Sequence, residues 1–230
     1  MTKSYDVWWQ KGQESDDDMA RDHQEAWERT IEMLDTSDIK GKTILDVGCN
    51  QGGFLRKLYD TTPFKEGVGI DLARLSLEKA ETLKGERPLT YYLTDKPQET
   101  NRTFDTAVST SVLYLIEDIP QHAQDLKEVL KPGGVYYASF ADLTNNPSRQ
   151  FMDDTINQYG ATPSQNHSLK HIVDSFVDAG FEVAVMKEPV PDVIDLTHYS
   201  DFYLSPNDYL QTLYEESFLI KASVKEGIGK

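Results

Sequence analysis

The chain is poor in three things: cysteine, positive charge and long apolar runs. Its 230 residues hold one cysteine, Cys49. A lone thiol excludes an internal disulfide framework and fits a reducing, cytoplasmic setting. No apolar run approaches the roughly 18 residues of a membrane span. Met1 to Gln10 has no cationic segment followed by an apolar one, so no secretory signal and no membrane association are expected. Lys and Arg number 23 against 39 Asp and Glu, a formal charge of −16. So acidic a surface, without any Lys/Arg run, argues against a nucleic-acid partner, since phosphates would be repelled. No internal repeat or low-complexity tract interrupts the chain. Its 38% hydrophobic and 10% aromatic content suits one globular domain with a substantial core.

What is present is a strand–turn–helix signal. Thr43-Ile44-Leu45-Asp46-Val47 is an apolar run carrying one acid; Gly48-Cys49-Asn50-Gln51-Gly52-Gly53 then breaks it, and a helical pattern starts at Phe54. Ligands of open α/β sheets sit at such turns, where glycine lets them approach the backbone. The acid before the first glycine, Asp46, would repel a pyrophosphate but suits an ammonium or sulfonium. Gly48-x-x-x-Gly52 also departs from the dinucleotide pattern G-x-G-x-x-G, which sets a nicotinamide-dependent oxidoreductase aside. Asp71, twenty-five positions after Asp46, follows the next strand, where a carboxylate can accept both ribose hydroxyls.

Seven β-rich runs alternate with helical patterns: 43–47, 67–70, 89–93, 104–109, 135–140, 181–187 and 217–224. The intervening helices show three-to-four spacing, at Leu72, Leu75, Lys79 and Leu83, at Ile119, Ala123, Leu126 and Leu130, and at Leu169, Ile172, Phe176 and Val177. The expected fold is α/β: one seven-stranded, mostly parallel sheet with helices on both faces. No crossover helix separates the last two strands, which implies an antiparallel edge. Residues 1–40 read as a helical cap, with a helix from about Asp16 to Leu34 placing Ala20, His23, Trp27, Ile31 and Leu34 on one face. The aromatic-rich stretch 188–216 reads as an insertion within the domain formed by 41–230.

Taken together these motifs resemble the class I S-adenosylmethionine-dependent methyltransferases, of the small-molecule type, whose sheet is Rossmann-like. The first motif falls on Asp46-Val47-Gly48-Cys49-Asn50-Gln51-Gly52 and the ribose acid on Asp71 in Gly69-Ile70-Asp71-Leu72. Phe104 to Ser109, running into Val112-Leu113-Tyr114-Leu115, resembles the fourth strand. Leu130-Lys131-Pro132-Gly133-Gly134-Val135 resembles the entry to the fifth, and Asp178-Ala179-Gly180-Phe181 the approach to the sixth. The resemblance covers residues 42–187 well and the last strand loosely. Asn50 stands where the family often has glycine; Asn tolerates left-handed backbone angles.

The resemblance implies S-adenosylmethionine as cofactor, S-adenosylhomocysteine as product, and in-line methyl transfer to an unidentified small molecule. Asp46, Gly48, Asn50, Gly52, Asp71, Leu72, Asp95 and Ser109 would bind the cofactor; Asp95 maps onto the family's adenine-reading acid only approximately. Alternatives are transfer to RNA or protein, or a module that binds the cofactor without turnover. A base is needed only for a poor nucleophile; His23 and Tyr114, with Tyr5, are the candidates. His23 also reads as a packing histidine. Trp8 and Trp9 read first as cap packing, with a cation-binding cage as the alternative. Aromatic side chains in the cap and insertion hint at a flat or apolar acceptor. Two motifs are set aside. His167 and His171 lack the adjacent acid of a zinc protease, and Tyr92-x-x-x-Lys96 lies outside the long helix of a short-chain dehydrogenase. No metal is expected, and the oligomeric state is open.

Overall fold

The computed structural model describes residues 4–12 and 16–225. Glu14 and Ser15 of the acidic run, like Met1 to Lys3, lie outside the described residues. Seven strands form one sheet in the order β3-β2-β1-β4-β5-β7-β6. They are β1 (Thr43–Val47), β2 (Glu66–Asp71), β3 (Leu89–Leu93), β4 (Phe104–Ser109), β5 (Leu130–Ala141), β6 (Phe181–Lys187) and β7 (Ser217–Val224). Strands β3, β2, β1, β4 and β5 pair in parallel. The expected antiparallel edge is the β6–β7 pair, with β7 also antiparallel to β5. The order reverses at β1, between β2 and β4, so the crevice of this sheet lies beyond the carboxyl end of β1.

The helices are α1 (Asp16–Asp22), α2 (Gln24–Met33), α3 (Thr36–Ile39), α4 (Gly53–Thr61), α5 (Arg74–Leu83), α6 (Ile119–Val129), α7 (Arg149–Tyr159), α8 (Leu169–Asp178) and α9 (Pro206–Gln211). On one face of the sheet, α6 and α8 bury Ile119, Ala123, Leu126, Ile172 and Phe176 against Leu45, Ala107 and Tyr136. On the other, α4 and the end of α2 bury Phe54, Leu55, Leu58 and Ile31 against Ile44, Val108 and Tyr137. A fully buried leucine or phenylalanine contributes roughly 2 kcal/mol, so these two layers hold the sheet rigid beneath its loops.

Two local readings change. The spacing of Leu75, Lys79 and Leu83 finds α5 but not its inner face: Leu75 and Leu83 are exposed, and Ser76, Leu77 and Ala80 are buried. The small Ser76 and Ala80 let the helix come close. Val177 likewise turns outward beside the buried Phe176. The cap helix, expected to be continuous, breaks at His23. There the Met19 carbonyl meets both the His23 backbone N–H (3.1 Å) and the His23 ring Nδ1 (2.7 Å). A side chain competing for a helix carbonyl interrupts the helix at that turn.

Candidate functional site

The turn after β1 is built from left-handed backbone. Gly48, Asn50 and Gly52 have φ of 73°, 46° and 67°. A Cβ on Gly48 would lie 2.6 Å from a Val112 methyl, so the glycine is required by conformation and by space. Gly48 N–H and Cys49 N–H both donate to the Ile70 carbonyl of β2. Asn50 caps the next residue by accepting from Gln51 N–H at 2.7 Å.

Asp71 fixes this turn. Its Oδ2 accepts from Asn50 N–H at 2.7 Å and its Oδ1 from Ala73 N–H at 2.8 Å. Burial pushes its carboxyl above the ordinary range, against the opposing pull of the Ala73 and Asn50 N–H groups. Each carboxylate oxygen keeps a lone pair beyond these bonds, which is what two ribose hydroxyls need. Asp46 differs. It is 1% exposed, and its Oδ2 has no hydrogen-bond partner among the described residues. Burial, then the Asp71 charge, push its carboxyl well above the usual range. A buried acceptor without a partner is costly, and a cationic ligand would relieve it. The residues present therefore fit a nucleoside bearing a sulfonium.

The other expected residues divide. The Leu72 carbonyl is taken by Tyr5 N–H at 3.0 Å. Asp95 is exposed after β3, and its charge, with those of Asp71 and Asp16, acts on Tyr5. Ser109 ends β4, but its hydroxyl turns into the lower core, 2.5 Å from the Tyr136 hydroxyl, which lies 3.2 Å from His122 Nε2. Only the Ser109 backbone is left for the crevice. Burial holds His122 down to about 4, so this chain ends in a neutral imidazole. Tyr114 follows β4, and burial followed by its neighbour Tyr5 push its phenol upward. His23 sits at the α1–α2 junction against Trp27, with ring centroids 6.2 Å apart. His167 Nε2 meets the Ile116 carbonyl, and no metal-ligating cluster exists among the described residues.

Several contributors are not visible in the sequence motifs. Residues 5–10 cross from the β2 end to the segment after α7. Tyr5 bridges Ala73, and Trp9 bridges Gly160. Asp16, buried at the start of α1, accepts from Trp8 N–H (3.2 Å), Trp9 N–H (2.8 Å) and the Ser76 hydroxyl. Asp17 receives Gln51 Nε2 at 2.5 Å, tying α1 to the glycine turn. Ala161 N–H donates to the Trp8 carbonyl, and Gln165 N–H to the Tyr114 carbonyl. An acidic run marked a helix start; nothing in it marked which acid turns inward.

A family described as "Methyltransferase domain" matches residues 19–185. The chain belongs to that family. Its members use S-adenosylmethionine, the cofactor that the Asp46–Asp71 crevice fits. This methyltransferase domain is 34% identical over 117 residues to a tRNA U34 carboxymethyltransferase of Hydrogenovibrio crunogenus, covering 47% of this chain and 34% of that protein. It is 28% identical over 105 residues to a malonyl-[acyl-carrier protein] O-methyltransferase of Anoxybacillus flavithermus, covering 45% and 40%. The chain thus spans about a third of the length of the first and two fifths of the second. In fold it resembles a structure described as a complex between the Haloferax volcanii Trm112 methyltransferase activator and the putative methyltransferase. The TM-score is 0.73 at 18% identity, over 92% of this chain and 96% of that one. No helix among the described residues is long and apolar enough to cross a membrane.

Proposed function

We infer that this methyltransferase domain transfers a methyl group to a small-molecule acceptor by in-line displacement. The observation that carries the reading is the pair of acids at adjacent strand ends. Asp71 is locked by backbone N–H groups, and Asp46 has a buried oxygen in want of a cation. When bound, S-adenosylmethionine supplies a methyl already activated by its sulfonium.

The residues of the chain hold, orient and dry the reactants. Asp71 receives the ribose hydroxyls, and Asp46 faces the positive charge. Residues 1–40 act as a cap: the strap 5–10 excludes water, which strengthens every electrostatic contact beneath it. The insertion 188–216 backs the strap, with Phe202 5.9 Å from Trp9 and Lys11 3.1 Å from Asp201. Burial keeps the Tyr114 phenol protonated, so it can offer a donor to a ligand but not a base. His23, with Nδ1–H on the Met19 carbonyl, presents Nε2 as its basic atom. The acidic surface favours a small acceptor over RNA.

Calorimetric titration with S-adenosylhomocysteine tests the reading. Saturable binding by the parent that collapses in Asp71→Ala is the expected result. A folded parent that binds no S-adenosylhomocysteine would remove it.

A further inference from the structure

The N-terminal segment is bonded to both sides of the cofactor crevice. On the β2 side it runs beside the residues that follow Asp71. The Tyr5 N–H donates to the Leu72 carbonyl at 3.0 Å, and the Arg74 N–H donates to the Tyr5 carbonyl at 2.7 Å. Between them stands Ala73, whose own N–H goes to Asp71 Oδ1. The Leu75 N–H donates to the Asp6 carbonyl at 2.9 Å, and Arg74 pairs with Asp6 at 2.8 Å. On the β1 side Asp17 Oδ1 receives Gln51 Nε2 at 2.5 Å. Gln51 is buried between Asn50 and Gly52, two of the left-handed residues of the turn. Asp16 links the two sides, accepting from the Trp8 and Trp9 N–H groups and from the Ser76 hydroxyl of α5.

A nucleoside held by Asp71 and the glycine turn therefore lies within this run of bonds. The segment itself is held without the core. Among residues 4–12 only Trp9 is buried, and neither core layer includes a described residue before Trp27. Surface hydrogen bonds, one exposed ion pair and one buried ring can release while the sheet stays folded, because local opening costs less than global unfolding. The seam beside Asp71 is the one a nucleoside must pass, since Tyr5 and Asp6 lie against the residues that follow the ribose acid.

Building on the assignment of this crevice to S-adenosylmethionine, we propose that the strap 5–10, with Asp16 and Asp17, is a wall of the cofactor site that gates exchange. S-adenosylmethionine enters and S-adenosylhomocysteine leaves only when the strap releases its seam with residues 72–75. That release sets the rate of both events. Once closed, the same wall keeps water away from the bound sulfonium.

The test is stopped-flow tryptophan fluorescence of the full chain mixed with S-adenosylhomocysteine. Trp8 and Trp9 lie in the strap, and the Trp27 ring packs on Gly53 at the start of α4, so the signal reports on the wall and the turn together. The observed association rate is expected to level off with rising S-adenosylhomocysteine, at the rate of strap release. A rate that keeps rising in proportion to concentration overturns the proposal. A second arm pins the seam by Tyr5→Cys with Ala73→Cys, a bridged parallel pair whose spacing suits a disulfide. Oxidised, this variant is expected to exchange S-adenosylhomocysteine about tenfold or more slowly than when reduced, and reductant restores the rate. Equal rates in the two forms overturn the proposal. If the disulfide does not form, the concentration dependence of the parent decides alone. A folded parent that binds no S-adenosylhomocysteine would instead remove the cofactor assignment on which the proposal rests.

Discussion

Two regions of this molecule use a buried aspartate for the same mechanical task. At the end of β2, Asp71 gathers two backbone N–H groups and holds the glycine turn. At the start of α1, Asp16 gathers two backbone N–H groups and the Ser76 hydroxyl, and holds the strap. The first ties neighbours within one parallel sheet, β1 to β2, whose positions are already set by ladder pairing. The second ties a terminal segment to a helix sixty residues away, with little ladder to assist it. Equal chemistry thus serves unequal rigidity. The turn is preorganised before any ligand arrives, whereas the strap rests on its latch and a few bridges.

Removing Asp71 should have the largest effect. Asp71→Ala leaves the Asn50 and Ala73 N–H groups without partners, each costing about 1–3 kcal/mol. S-adenosylhomocysteine affinity is then expected to fall about a hundredfold or more, with a lowered melting temperature. Calorimetry and a thermal melt read both; an unchanged affinity would end the idea that Asp71 organises the turn.

Gly48→Ala probes the same region through its backbone. The φ of 73° and the Val112 methyl at 2.6 Å act together, for a cost of about 2 kcal/mol. Adding Val112→Ala should recover only the steric part. Full recovery in denaturant unfolding would mean that the left-handed angle carries no strain.

Asp16→Ala should act less on affinity and more on rates. With Trp8 and Trp9 N–H unpartnered, the strap loosens, and S-adenosylhomocysteine dissociates several-fold faster, roughly what 1 kcal/mol provides. Stopped-flow tryptophan fluorescence measures it. An off-rate equal to the parent's would make the two latches equally static.

The smallest effect is the pH dependence set by Asp46. Its folded-state carboxyl is raised, so the folded chain holds a proton that the unfolded chain has released. Stability from this group is present at low pH and declines as pH rises above the ordinary carboxylate range, until the folded-state group ionises too. Asp46→Asn should flatten that decline and melt slightly higher at neutral pH. It should also weaken S-adenosylmethionine more than S-adenosylhomocysteine, because only the former carries the sulfonium charge. Melts across pH and paired titrations test both; a neutral-pH melting temperature below the parent's would show that Asp46 is not the strained acid.

The strands were legible because each is a short run of β-formers bounded by turn residues. The turn at Gly48, Asn50 and Gly52 and the strand-end acids Asp46 and Asp71 were legible because a left-handed turn demands particular residues at fixed offsets. Other features were not. Periodicity located α5 but chose the wrong face, because Ser76 and Ala80 are buried for their small size, not their hydrophobicity. Ser109 lay at the right strand end, yet only the packed sheet shows its hydroxyl claimed by Tyr136. Nothing local distinguishes Asp16 from Asp17 and Asp18; the choice is made by Ser76 and the Trp8–Trp9 backbone arriving from elsewhere.

The sequence by itself determined the alternation of strands and helices, the turn and its acids, and the sign of the charge, since these follow from residue type, spacing and composition. Tertiary structure alone decided which acids are latches, which oxygen stays unpartnered, and that the strap and the turn after β4 are both joined by backbone hydrogen bonds to the loop after α7. Such facts depend on hydrogen bonds and contacts between segments far apart in the chain, and no local propensity encodes them.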